Sequence, residues 1–128
     1  MLALLKKGDP ELNIKKGKQV NGRTLYYANA DFKTVVQLYA IQDSLKQLRL
    51  GIIMDARDQQ TNLRIKKLNN IISKIADPKV QQWVNDELKN IQKSPDKNHK
   101  YQLNTSKYAT YEINYQAKLK QLSFDLYQ

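Results

Sequence analysis

The sequence predicts an α+β domain: an N-terminal β-hairpin, three helices over about 31–50, 61–75 and 78–92, and a C-terminal antiparallel hairpin over about 108–127 packed on the helices. Three observations predict it. Apolar residues recur at helical spacing from 31 to 93, they alternate from 108 to 127, and Asn21-Gly22 sits between two runs able to pair as strands.

In the first of these elements, Asn-Gly tolerates the positive φ angles of a tight hairpin turn, so residues 13–20 and 23–28, the latter with Leu25, Tyr26 and Tyr27, read as its strands. Asp31 then reads as the N-cap of a first helix. Phe32, Val35, Val36 and Tyr39 fall on one side of it, and Leu38, Ile41, Leu45, Leu48 and Ile52 on the other. Two opposed apolar stripes predict a central helix covered on both sides, ending at Gly51 or running on to Asp58.

Thr61 is the natural cap of a second helix, with Ile65, Leu68, Ile71, Ile72 and Ile75 on one face and Lys66, Lys67 and Lys74 on the other. Asp77-Pro78 combines an N-cap with a first-turn proline and opens a third helix, whose stripe is Val80, Trp83, Val84, Leu88 and Ile91. Ser94-Pro95 closes it. Residues 94–107 have loop composition, within which 101–105 can add a short edge strand. Tyr111, Ile113 and Tyr115 alternate, as do Leu122, Phe124 and Leu126, with a turn near Gln116–Lys118. The last strand is expected to be an exposed edge through which two copies could pair, with Asp125 facing outward as a guard.

At 128 residues and 41% hydrophobic, the chain is sized for one domain over 1–128, with residues 1–12 as a mobile arm. It has no cysteine, which excludes disulfides, thiolate catalysis and cysteine-based metal sites. In Met1–Leu5 the apolar run precedes Lys6 and Lys7, the reverse of a secretory signal, and no run is long enough to span a bilayer. The default expectation is therefore a cytoplasmic protein, with a trimmed exported one as the alternative.

Net charge is +10, unevenly distributed: residues 1–30 carry +4, 61–76 carry +4 and 95–107 carry +2, while the remaining stretches are neutral. Such a surface attracts anions. Lys15, Lys16, Lys18 and Arg23 with Tyr26 crowd the N-terminal hairpin. Lys66, Lys67 and Lys74, with Arg64, lie on the second helix, and Lys97 and Lys100 with Tyr101 bracket the late loop. These are the candidate partner-binding residues. Lysines outnumber arginines eighteen to four, which disfavours bidentate reading of base edges.

Catalytic chemistry has little to stand on. His99 is the only histidine and lies in a polar, basic loop, where it is expected to be solvated. Asp55 and Asp58 are spaced to share a helical side, but a charged turn capping the second helix is the simpler reading. No phosphate-cradling glycine loop and no nucleophile elbow is present, and neither a cofactor nor a metal is expected. The sequence therefore points to a non-catalytic interaction protein, of the inhibitor, immunity, adaptor or accessory-subunit kind, docking a basic, tyrosine-bearing face onto an acidic protein. The alternatives are a non-specific nucleic-acid-backbone binder using the same clusters and, more remotely, an enzyme without a local motif.

Overall fold

The computed structural model describes residues 13, 15–20, 22–31, 34–41, 44–55, 57–106 and 109–127, of which 20, 28–31, 34–41, 44–46 and 106 are described by backbone alone. The proposed arm over 1–12, with Lys6 and Lys7, lies outside these residues, as do Asn21, Phe32, Lys107 and Tyr108. Seven strands and two helices follow in the order β1 (Lys15–Val20), β2 (Arg23–Asp31), β3 (Thr34–Ile41), β4 (Ser44–Ile53), α1 (Thr61–Ile75), α2 (Pro78–Lys93), β5 (His99–Ser106), β6 (Ala109–Gln116) and β7 (Gln121–Tyr127). The strands form one antiparallel sheet in the order β1-β2-β3-β4-β7-β6-β5. Two meanders, β1–β4 and β5–β7, are thus joined where β4 pairs with β7, Leu48 opposite Leu126 and Ile52 opposite Leu122.

The α+β class and the two later helices agree with the sequence; the expected first helix over 31–50 does not exist. Asp31 ends β2, and the following residues form β3 and most of β4. The physical reason lies in the pattern itself. Thr34, Val35, Val36, Tyr39 and Ile41 are β-branched or aromatic, which favours strands over helices. Each helical stripe mixes odd and even positions, whereas the residues that are buried, Leu48, Leu50, Ile52 and Met54, recur at the strand period of two. Gly51 breaks nothing: it sits within β4, opposite Val35 on one side and Ser123 on the other.

The first hairpin turns at Gly22, whose φ of +75° is the left-handed conformation that glycine adopts without strain. Residues 117–120 make the last turn, two residues later than expected at its far end, with Lys120 at φ 52°. The strand anticipated at 101–105 is the longer β5, an edge of the sheet. β7 is no edge at all. It is paired on both sides, so strand pairing through the C-terminus, the expected route to a dimer, has no open ladder to use.

Both helices cover one face of the sheet, α1 over β4 and α2 over β5 and β6, and they pack on each other. Leu68, Ile71 and Ile72 of α1 and Val80, Val84, Leu88 and Ile91 of α2 meet Leu48, Leu50, Ile52, Tyr111, Ile113, Tyr115, Leu122, Phe124 and Leu126 of the strands. Asp77 caps α2 as expected, its Oδ1 accepting from the backbone N–H of Lys79 and Val80. Thr61 does not cap α1. It is the first helical residue, and its hydroxyl donates to the Asp55 carbonyl (2.6 Å) while accepting from the Asp55 N–H (3.1 Å). Gln60 takes the cap position without a side-chain bond.

Desolvation pushes the Tyr101, Tyr111, Tyr115 and Tyr127 hydroxyls above the ordinary tyrosine value. A raised folded-state value means that the folded chain holds these protons more tightly than the unfolded one. Their contribution is therefore complete below about pH 10 and is lost as pH rises through the folded-state values. Alkaline titration should show tyrosinate absorbance appearing together with loss of circular dichroism. Full ionisation of the tyrosines with the fold intact would contradict this.

Candidate functional site

The basic residues do not form one patch. Lys15, Lys16 and Lys18 lie exposed on β1, one edge of the sheet, and Lys100 lies exposed on β5, the other edge. Six strand spacings separate them, about 29 Å. Lys100 is also partly neutralised, its Nζ 3.7 Å from Glu112 Oε1. Lys97 is exposed in the loop before β5. On α1, Lys66 and Lys74 are exposed and Lys67 is half-buried.

The β1–β2 hairpin gathers four of these cations on two paired strands. Lys15 and Lys16 pair in register with Tyr27 and Tyr26, and half-buried Arg23 sits at the turn opposite Val20. No carboxylate occurs between residues 15 and 27, and none of these four cations is in an ion pair among the described residues. Tyr26 is half-buried and packed against the core, so it supports the hairpin more than it offers a contact. Tyr27 instead keeps 40% of its surface exposed. Its ring lies across Gly17, where an added Cβ would sit 3.2 Å from Tyr27 Cε1. A side chain at that position would push the ring aside by a few tenths of an ångström, so glycine lets the ring and the strand approach closely. Tyr27 as a contact residue was legible only as one of several tyrosines, because the ring's position depends on a cross-strand neighbour.

Three of the four arginines pair with carboxylates of this chain. Arg49 Nε bonds Asp125 Oδ1 at 2.7 Å and its Nη2 reaches Oδ2 at 3.3 Å, which raises its pKa further. Asp125 is fully buried under this contact and guards no edge. Arg57 pairs with Asp55. Arg64 belongs to the core and not to a basic surface: its Nη1 donates to the Ile53 carbonyl and its Nη2 to Asp58 Oδ2.

A cleft of about 670 Å³ opens at one end of the sheet, lined by Asp55, Arg57, Asp96, Asn98, Lys118 and Lys120 among others, with Tyr115 and Met54 in it. A smaller cavity of about 340 Å³ beside it includes Asp58. Two carboxylates of this region, Asp55 and Asp58, are already engaged. Asp55 Oδ1 accepts from the Arg57 N–H, and that bond with the Arg57 side chain lowers its pKa, which suits a fixed anion and not a general acid. Asp58 Oδ1 accepts from the Gln60 N–H, beside its bond to Arg64. The two therefore belong to a structured turn and not to one helical side.

His99 is half-buried where a solvated side chain was expected. Its Nε2 is 2.8 Å from the Ser94 carbonyl, an acceptor, so Nε2 carries the proton, and Nδ1 lies 2.7 Å from the Tyr101 hydroxyl. The ring ties β5 to the end of α2. Tyr101 is engaged in the same tie and packs on the core. No family model, curated protein or solved structure matches this chain. Among the described residues no group of three or more His, Asp or Glu is placed to hold a metal ion, and no helix is long and apolar enough to cross a membrane.

Proposed function

We propose that this chain is a non-catalytic interaction protein that docks its β1–β2 hairpin onto an acidic protein surface. The observation that carries the proposal is the hairpin itself: Lys15, Lys16, Lys18 and Arg23, none in an ion pair among the described residues, on the two strands that also present the exposed ring of Tyr27. An exposed aromatic side chain on a hairpin that also carries cations suits a partner with a pocket and an acidic rim. Lysines on an edge strand also discourage strand addition, which is a structural use of the same residues. That use accounts for neither Arg23 nor the Tyr27 ring over Gly17. The other predicted residues take different parts: Tyr26, Tyr101 and Lys100 are engaged in the fold, and Lys66, Lys67, Lys74 and Lys97 contribute long-range charge.

The nucleic-acid alternative has weaker support. Three of the four arginines are held by carboxylates, and the candidate lysines are divided among β1, α1 and the region of β5. A gel-shift titration with single- and double-stranded DNA and RNA separates the two readings. With about four convergent cations, log K should fall against log salt with a slope no steeper than about −4, and the shift should vanish near about 200 mM salt. A complex that persists at that salt would favour nucleic acid and overturn the acidic-protein proposal.

A further inference from the structure

The two edges of the sheet are unlike. β1 presents three exposed lysines in six residues, whereas β5 runs from His99 to Ser106 with Lys100 as its only lysine, and that one is paired with Glu112. Among the described residues β5 is the terminal strand on its side, and from His99 to Asn104 it pairs regularly with β6 before a register shift at Asn104–Ser106. Such a strand carries a row of backbone N–H and C=O groups directed away from the sheet.

Beside that edge, α2 and β5 enclose a groove of about 690 Å³, lined by Pro78, Lys79, Trp83, Leu103 and Thr105 among others. Trp83 and Leu103 are half-buried apolar side chains packed on the rim of the core. Leu103 is also the last member of a register row that runs Tyr26, Leu38, Leu48, Leu126, Tyr111, Leu103 across the sheet. An eighth strand would extend this row by one residue, directly into the groove. Lys79, Trp83 and Glu87, four residues apart, fall on one side of α2. Two charged residues line the groove, Asp77 and Lys79, and Lys79 is in no ion pair among the described residues.

We infer that β5 and the α2 groove form a second binding surface, which takes an extended peptide segment as an added strand. Its recognition elements are an apolar side chain seated against Trp83 and Leu103 and a carboxylate at the end that meets Lys79. Main-chain hydrogen bonds to β5 supply affinity, and the groove selects alternate side chains. Asp77, the other charge in the groove, turns Oδ1 to the amides of Lys79 and Val80.

Trp83 is the only tryptophan in the chain and reports directly on the groove. The probes are the acetylated, amidated peptide Glu-Val-Thr-Leu-Thr-Val-Lys and its reversed sequence, each also made with alternate backbone amides N-methylated. One of the two sequences should shift Trp83 fluorescence and slow hydrogen exchange of alternate β5 amides. Its N-methylated form should bind at least about tenfold more weakly, because it cannot complete the ladder. Lys79→Glu, an exposed change, should weaken binding by a similar factor. No response to either peptide at about 1 mM, or equal binding by the N-methylated form, would overturn the inference. So would β5 amides already protected without peptide, whether by a second copy (a concentration-dependent effect) or by this chain's own N-terminal residues. Reversing Lys15, Lys16 and Lys18 to Glu should leave this binding unchanged, which separates it from the hairpin surface.

Discussion

Truncating Phe124 to Ala is expected to destabilise the fold by about 3–5 kcal/mol and to lower the melting temperature by more than about 10 °C. The side chain is 1% exposed and sits on β7, opposite Leu50 of β4 and Ile113 of β6. It therefore occupies the junction where the two meanders become one sheet, and its ring lies 5.8 Å from that of Tyr111. A cavity there removes apolar contact from both ladders and from the helices above them, with little chance of local collapse in a strand held on both sides. Helical circular dichroism and Trp83 fluorescence should shift to the same lower midpoint in urea. A loss below about 1 kcal/mol, or two separated transitions, would mean that the meanders do not share a core at this residue.

Arg49→Met should cost about 3 kcal/mol, the low end for breaking a buried pair, because it strands the Asp125 carboxylate in the fully buried site. Glu112 faces Asp125 in register, so the unpaired charge also meets a like charge. The reverse change is asymmetric. The Arg49 side chain is 45% exposed, so in Asp125→Asn the guanidinium can turn to water and the loss should be much smaller. The double variant should recover most of the stability lost in Arg49→Met. Equal costs for the two single changes, measured by urea unfolding, would contradict a pair governed by the burial of Asp125.

The elements that were legible from sequence are those specified by neighbours. Asn21-Gly22 marks a turn, Asp77-Pro78 starts α2, and Leu122, Phe124 and Leu126 alternate within a few residues of one another. β3 and β4 were hidden because apolar residues fall on both of their faces and can be sorted into helical stripes, and the deciding fact is a partner strand some 75 residues later in the chain: Leu48 meets Leu126, and Leu50 meets Phe124. The same long-range pairing turned the C-terminal strand from an edge into a sheet interior. The misreadings of Arg64 and His99 have a similar origin. One looked like part of a basic face and the other like a solvated loop residue, until Asp58 and Ile53 enclosed the first and Ser94 and Tyr101 the second. The candidate binding residues could be named as charges, but which of them converge depends on strand order, which no local pattern encodes.

The β1–β2 hairpin as the anion-facing surface is tested most directly by amide chemical shifts recorded while poly-L-glutamate is titrated into the full chain at low salt. The largest changes should fall within residues 15–27, should diminish with added salt, and should be lost when Lys15, Lys16 and Lys18 are changed to Glu. Changes centred instead on Lys66–Lys74 or Lys97–Lys100, or undiminished in the triple variant, would contradict it.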